Sequence, residues 1–409
     1  MKFDNQLRYA TNIISAYQGE TPLHVWLKDF FRAHKQMGSR DRKTVSNLVY
    51  GFYRLGHSAR ELPLEQRILL GLFLTGDQPG EFLEYFRPEW NAQASRPAEE
   101  KIELVRQEGI DFQPTDIFPW KNELSDGIDH HAFCLSFLRQ PDLFLRIRPG
   151  YERQVLQRLS RPTDPIATAA ILAHELIPPF TLRLPNGTKI EELFTPDKEV
   201  VVQDYSSQRI AELIPQATNF WDACAASGGK SILVHDIVPW IEITVSDIRE
   251  TILHNLRQRF RQAGIAGYRA VVADLTKGIP GDLLSSDDQP NPGNDTPNSR
   301  NRLPFDLVLT DVPCTGSGTW SRTPEDLYFF NPRKILHYSN TQKAIIENLI
   351  PHLAPGTHLV YSTCSVFKKE NEAIVELIHG QFGLQVQQAA IIKGYDQRAD
   401  TMFAARLEC

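Results

Sequence analysis

Two cysteines in the last quarter of the chain stand where a thiol can do chemistry. Cys314 lies in Thr310-Asp311-Val312-Pro313-Cys314-Thr315-Gly316, after the apolar run Phe305-Asp306-Leu307-Val308-Leu309. Cys364 lies in Leu359-Val360-Tyr361-Ser362-Thr363-Cys364-Ser365. Each falls just past a predicted buried strand. In an open α/β sheet, ligands bind in the crevice outside the carboxyl ends of the strands. A lone buried cysteine is ordinarily inert packing, but two thiols delivered to one crevice point to covalent chemistry. Cys134 and Cys409 share no such setting, and Cys224 belongs to a separate loop, where it reads as a small residue.

A second motif precedes them. Trp221-Asp222-Ala223-Cys224-Ala225-Ala226-Ser227-Gly228-Gly229-Lys230-Ser231 follows a predicted strand and leads into the apolar Ile232-Leu233-Val234. Small residues and two glycines let a ligand approach the backbone closely. Gly229-Lys230-Ser231 imitates a phosphate-binding loop, but that pattern needs glycine at position 224, where Cys224 stands, and GxGxxG is also missing. Asp247 ends the next strand, where a carboxylate can accept both hydroxyls of a ribose, and Asp274 ends the one after, beside the place of an adenine. Taken singly, such an Asp is as readily a helix cap. Loop, Asp247 and Asp274 in successive units fit an adenosine ligand with no need for phosphate, and S-adenosylmethionine is one.

These motifs need a scaffold, and the chain supplies one. From about residue 200 strand, loop and helix alternate. Strands are predicted at 219–222, 243–246, 270–273, 307–310 and 357–361, and helices at 249–263 and 338–353. The alternation predicts an α/β, Rossmann-like domain with a mostly parallel sheet over 201–409. Residues 284–302 are rich in Asp, Asn, Pro and Ser and read as a mobile insertion. Residues 139–200 read as a small α+β linker domain, with strands at 143–149 and 181–184 around a helix at 152–159. Residues 1–138 read as all-helical, with apolar periodicity in 23–31, 45–53 and 64–74 and Ser39 or Asp41 as a cap.

The 409 residues, 41% hydrophobic, are enough for two or three cored domains. Five widely spaced cysteines form no disulfide framework, and no CxxC pair suggests zinc; a reducing, cytoplasmic setting and no metal are expected. No run of about 20 apolar residues exists, so no membrane span is expected. The net charge of −6 gives no global sign of nucleic-acid binding, so local basic runs matter more. One holds Arg32, Lys35, Arg40, Arg42, Lys43 and Arg54; another holds Arg249, Arg257, Arg259, Arg261 and Arg269. The plain reading of either is a solvated helix face.

Asp-Ala-Cys-Ala-Ala-Ser-Gly-Gly-Lys (222–230), Asp-Val-Pro-Cys-Thr-Gly-Ser-Gly (311–318) and Tyr-Ser-Thr-Cys-Ser (361–365) with Glu370-Asn371-Glu372 occur in order. Together they resemble the Sun/RsmB-type family of RNA cytosine-C5 methyltransferases. Val202 to Gln208 resembles the family's motif before the cofactor loop, and Met402 to Leu407 its final strand. Asp41 to Gly51 resembles a NusB-like RNA-binding domain found in one branch. The family loop usually has proline where this chain has Ser227.

The resemblance implies a reaction. Carbon 5 of cytosine is too weak a nucleophile to take a methyl group directly, and thiolate addition to carbon 6 turns it into an enamine carbon. By resemblance Cys364 attacks and Cys314 assists release, while Asp311 with Lys230 meets charge on the ring. The cofactor site comprises Cys224, Ala225, Ala226, Ser227, Gly228, Gly229, Lys230, Asp247, Asp274 and Asp311. The partner is RNA, ribosomal RNA by analogy, bound by a monomer. The target base must be flipped out or single-stranded, with the basic runs on phosphates and Trp320 and Arg322 near the base. Trp320 reads equally well as structural. Rival readings are a tRNA or DNA cytosine-C5 methyltransferase, the latter using Cys314 as nucleophile, and a non-catalytic RNA-binding assembly factor.

Overall fold

A computed structural model describes residues 2–159, 181–284, 303 and 305–409, so residues 285–302 of the predicted insertion lie outside the described residues. The chain forms two compact units. One comprises Met1–Leu124, Ile128–Pro141 and Thr319–Pro332; the other comprises Ser125–Gly127, Asp142–Gly318 and Arg333–Cys409. The units are not consecutive in sequence. The segment just after the Cys314 loop belongs with the N-terminal helices, and residues 142–200 share a unit with the large sheet.

The first unit is helical. Its helix Ser39–Arg54 buries Val45, Leu48, Val49, Phe52 and Tyr53, the three-and-four spacing that gives a helix one apolar face. The helix starts so that Gly38 is the cap rather than Ser39 or Asp41. Asp41 therefore falls at the third position, where its carboxylate accepts the Gly38 N–H at 3.3 Å and Nε2 of Gln6 at 2.7 Å. Arg54 is buried and donates to the carbonyls of Phe137 and Arg139 at 3.0 and 3.2 Å, so it is no part of a solvated basic face. Trp320 is only 2% exposed; its ring lies 4.6 Å from Phe330, 6.0 Å from Phe118 and 6.3 Å from Trp120. A ring enclosed by three others cannot stack on an RNA base, and the structural alternative for Trp320 holds.

The second unit carries two sheets. The smaller is antiparallel, in the order β2-β1-β3, from β1 (Leu143–Ile147), β2 (Thr181–Leu184) and β3 (Val200–Val202). The larger has seven strands: β4 (Asn219–Asp222), β5 (Glu242–Asp247), β6 (Arg269–Val272), β7 (Leu307–Asp311), β8 (His358–Thr363), β9 (Gln385–Ile392) and β10 (Met402–Glu408). Their order is β6-β5-β4-β7-β8-β10-β9. The first five are parallel, and only the β8–β10 and β10–β9 pairs are antiparallel. This is the mostly parallel, Rossmann-like α/β sheet that the alternation predicts.

Strands buried on both faces read as continuous apolar runs, and successive side chains go to opposite sides. Phe220, Leu307, Leu309 and Val360 pack with Ile232, Leu233, Leu253, Leu256 and Phe260 on one face. Trp221, Val308, Leu359 and Tyr361 pack with Ile345, Ile346, Leu349, Ile374 and Ile378 on the other. The chain leaves β4 toward β5 on one side and later returns to β7 on the other. Strand order thus reverses between β4 and β7, and the crevice at their carboxyl ends is the place for a ligand. Strand β9 has no sequence signature because it is a sheet edge: Gln385 to Ala390 are exposed, so its residues need no apolar alternation.

Buried charge joins the two sheets. Arg146 and Arg148 of the β1 segment both bind Asp236 of the helix Gly229–Ile237, with Arg148 Nη2 at 2.7 Å. Burial alone would raise the Asp236 carboxyl, but bonds from His235 and Arg148 and the charge of Arg146 hold it well below the usual carboxylate range. Its stabilisation is therefore full at neutral pH and lost as pH falls through that lowered value. Replacing Asp236 by Asn leaves two arginines without a counter-charge. The expected cost is about 3–5 kcal/mol in urea unfolding at pH 7, with a smaller difference from wild type in acid.

Candidate active site

The first loop of the site leaves β4 at Asp222. Asp222 is buried and accepts from Ser231 Oγ at 2.6 Å, and burial pushes its carboxyl up to about 7 against that bond. The loop is then pinned by backbone bonds, from Ala223 N–H to Leu309 O and from Ala225 N–H to Ser246 O, both at 2.9 Å. Ala226 and Gly228 have positive φ, 46° and 80°. A Cβ on Gly228 would stand 2.8 Å from the Phe260 ring, so glycine is required there for both conformation and space. Ser227, in the position of the family's proline, is held from outside the loop. Arg259 Nη1 donates to its carbonyl at 3.1 Å and its Oγ at 3.0 Å, while the rest of the guanidinium forks onto Asp197. Arg259 is thereby spent inside the protein and is no phosphate contact.

Asp247, at the end of β5, uses its carboxylate to position the loop. Oδ2 accepts the Ala226 N–H at 3.0 Å, and Oδ1 accepts the backbone and side chain of Arg249 at 2.9 and 3.1 Å. Carboxylate oxygens have further lone pairs, so hydroxyl donors remain acceptable. Asp274 caps the short turn Leu275–Lys277: Oδ1 accepts the N–H and Oγ1 of Thr276, and Lys277 pairs with Oδ2 at 2.9 Å. The bonds from Thr276 and Lys277 hold its carboxyl below the usual range. Capping and lining are compatible here. A cleft of about 460 Å³ is bounded by both aspartates, by Ala223, Cys224 and Ala226, and by the apolar Ile248, Ala273 and Leu275. Its far wall is Asp311, Pro313 and Cys314, with Tyr338, Thr341 and Ile345 from the helix Arg333–Leu349.

Lys230 reaches from the start of the helix Gly229–Ile237 to the end of β7. Its Nζ lies 2.5 Å from Asp311 Oδ2, and Asp311 Oδ1 accepts from Ser362 Oγ of β8 at 2.9 Å. Burial disfavours charge on Lys230, yet the Asp311 carboxylate outweighs it and the amine sits above its ordinary pKa. The pair thus ties the helix that follows β4 to the ends of β7 and β8.

The two thiol loops are bonded to each other. Val312 N–H donates to Ser362 O at 3.1 Å, Gly318 N–H to Cys364 O at 2.8 Å, and Ser317 Oγ lies 3.2 Å from Ser365 Oγ. A Cβ on Gly318 would stand 1.8 Å from Thr401 O and 3.0 Å from Cys364 O, so only glycine permits this approach. Cys314 and Cys364 are both partly buried. Burial pushes the Cys364 thiol up to about 12; Asp311 adds to the rise and Lys230 opposes it. Burial and the neighbouring Cys364 raise Cys314 well above its usual value. Lys230 thus favours the Cys364 thiolate, as its charge demands, but its effect is smaller than that of burial. Both thiols rest protonated.

The site therefore brings together Cys224, Ala225, Ala226, Ser227, Gly228, Gly229, Lys230, Asp247, Asp274, Asp311, Cys314 and Cys364, all in one unit. Residues 210–403 match the family described as 16S rRNA methyltransferase RsmB/F. This region belongs to the RsmB/F methyltransferase family. A ribosomal RNA small subunit methyltransferase B of Enterobacter sp. is 32% identical over 174 residues, which is 42% of this chain and 36% of that protein. A probable ribosomal RNA small subunit methyltransferase B of Synechocystis sp. is 28% identical over 292 residues, 69% of this chain and 60% of that protein. The match to the Enterobacter protein thus spans little more than a third of that protein's length. Two solved structures share the fold. PH0851 has a TM-score of 0.67 at 17% identity, over 99% of this chain and 98% of that one. A methyltransferase homologue from Pyrococcus horikoshii has 0.52 at 18%, over 70% and 92%.

Within the RsmB/F region, sequence reasoning missed Ser362 as the third member of the Lys230–Asp311 cluster, and Ile248, Tyr338 and Ile345 as cleft walls. Ser362 alternates with Tyr361 and Thr363 along β8, which would have placed it beside the end of β7 had the register been known. Residues of the helix Arg333–Leu349 carry no local mark of a ligand wall. Replacing Asp311 by Asn removes a charge that raises Cys364 and frees Lys230 to favour the thiolate. The expected result is faster alkylation of Cys364 by iodoacetamide at pH 8, by several-fold, read by peptide mass spectrometry; Lys230→Met is expected to slow it.

Proposed function

We propose that this protein transfers a methyl group from S-adenosylmethionine to carbon 5 of a cytosine in RNA, through a covalent cysteine–cytosine adduct. The observation that carries the reading is that one crevice holds Cys314, the Lys230–Asp311 pair sensed by Cys364, and a cleft suited to adenosine. The fit to the cofactor is chemical. Asp247 and Asp274 offer acceptors for ribose hydroxyls and an adenine amine, Ile248, Ala273 and Leu275 offer apolar walls, and small loop residues leave room for the backbone approach. When bound, the cofactor supplies an electrophilic methyl group on sulfur.

The residues of the chain divide the remaining work. The Cys364 proton passes to the Asp311–Lys230 pair as sulfur bonds to carbon 6, and the pair returns a proton to the ring nitrogen, where the displaced electrons collect. Carbon 5, now nucleophilic, takes the methyl group. Cys314, once its own thiol proton has passed to solvent, removes the carbon-5 proton, the double bond re-forms, Cys364 leaves with its electron pair, and the ring-nitrogen proton returns through the Asp311–Lys230 pair to Cys364. The two thiol loops are tied together, which suits successive steps on one ring.

The RNA reading draws on relatives named for ribosomal RNA, and ribosomal RNA is the proposed substrate. The helical unit, NusB-like by sequence, is proposed to hold it as a monomer. Arg40 and Lys43 are exposed on the helix Ser39–Arg54 and suit phosphate contacts, so affinity is expected to fall with salt. No described helix is long and apolar enough to cross a membrane.

Replacing Cys364 by Ala is expected to abolish methyl transfer to RNA, read as radiolabel incorporation. Replacing Cys314 by Ala is expected to leave a denaturation-resistant protein–RNA adduct. The opposite pattern, with the adduct on the Cys364 variant, assigns attack to Cys314, and activity on DNA alone excludes RNA as substrate.

A further inference from the structure

Glu370 and Asn371 are wholly buried neighbours, and each grips a different thiol loop. Glu370 Oε2 accepts the backbone N–H of Thr315, next to Cys314, at 2.8 Å and Nε2 of Gln342 at 3.4 Å. Gln342 is itself buried and donates to Pro313 O, on the other side of Cys314, at 3.0 Å. Asn371 acts on the other loop. Its Oδ1 accepts from Thr363 Oγ1 at 2.6 Å, and its Nδ2 donates to Ser365 O at 2.9 Å, so it holds both residues that flank Cys364. A further bond runs from Asn371 Nδ2 to Ser125 Oγ at 2.8 Å.

The grips are joined by one planar peptide bond, and Tyr361 OH anchors the dipeptide by donating to Glu370 O at 2.6 Å. Neither residue lines the adenosine cleft. Glu370 Oε1 has no hydrogen-bond partner, and burial pushes the carboxyl up to about 7. A buried oxygen left unpaired is destabilising, so packing alone does not account for an acid at this position.

We propose that Glu370 and Asn371 are separate positioning residues for the two thiols, Asn371 holding Cys364 for attack and Glu370, through Thr315, Gln342 and Pro313, holding Cys314 for release. The proposal rests on the thiol roles given under Proposed function. It has a consequence that a merely structural pair lacks: two adjacent residues have opposite kinetic signatures.

The test is single turnover of the full chain on substrate RNA with S-adenosylmethionine, following adduct formation and decay on denaturing gels. Glu370→Ala and Gln342→Leu are expected to form the adduct at the wild-type rate and to accumulate it, as Cys314→Ala does. Asn371→Ala and the near-isosteric Thr363→Val are expected to form it some 10- to 100-fold more slowly and to accumulate none. Glu370→Gln keeps an acceptor for Thr315 and is expected to restore decay to within about threefold of wild type. Cofactor affinity, measured by calorimetry, stays at the wild-type value throughout. Equal slowing of adduct formation by all four variants, or accumulation by the Asn371 and Thr363 variants, would overturn the proposal. A wild-type chain that methylates RNA yet never forms an adduct through Cys364 overturns the thiol roles themselves, a result distinct from the first.

Discussion

The ion pair between Lys230 and Asp311 is the constraint on which the site depends. It joins the first turn of the helix after β4 to the end of β7, across the point where strand order reverses. Ser362 extends it to β8. Three strand ends that would each carry an independent loop are thereby fixed to one cluster of charge. The pair is largely buried, so it is weakly screened, and each partner would be costly alone. Its field also reaches Cys364, raised by Asp311 and lowered by Lys230. One contact therefore sets both the geometry of the crevice and the balance that governs its thiol.

Around that pair, the loops are held by polar bonds more than by packing. Asp247 fastens Ala226, Arg259 fastens Ser227, Glu370 fastens Thr315, and Asn371 fastens Thr363 and Ser365. Each is a directional bond to the backbone or side chain of a reactive loop, which fixes position in a way an apolar contact does not. The apolar clusters lie below, on the two faces of the sheet, and supply the rigidity against which those bonds act. Where the family's loop gains stiffness from proline, Ser227 here is braced by a guanidinium that is itself locked by Asp197. The same mechanical end is reached by hydrogen bonds.

Resting thiols with raised pKa values suit an enzyme that reacts only when its substrate is seated. A permanently ionised thiolate in a cell is exposed to oxidation and alkylation. Burial keeps Cys364 protonated, with the charges of Lys230 and Asp311 acting on it from either direction; in the proposed reaction that pair would take up its proton. Cys364 also adds to the cost of ionising Cys314, which favours one thiolate at a time and suits the proposed sequential use.

The sequence by itself pointed to a mostly parallel sheet, to the positions of its five parallel strands along the chain, and to the candidate reactive side chains. Short apolar runs ending in Asp222, Asp247 and Asp311, each followed by a loop and separated by helical stretches, read as buried strands whose carboxyl ends carry loops, and that reasoning needs no coordinates. It left open what depends on long-range pairing. The bond from Ser362 to Asp311 requires the β7–β8 register, the loss of Trp320 to an aromatic cluster requires that 319–332 belong to the helical unit, and Arg259 is internal only because Asp197 comes from a distant segment. The balance of charge at Cys364 was likewise beyond local reading. Lys230 is a cation and by its charge favours a thiolate, but the net direction is set by burial and by Asp311, and burial exists only once the chain has folded. Local pattern dictates which groups are present and on what element; distance, desolvation and partnership are properties of the assembled fold, and they decide what those groups can do.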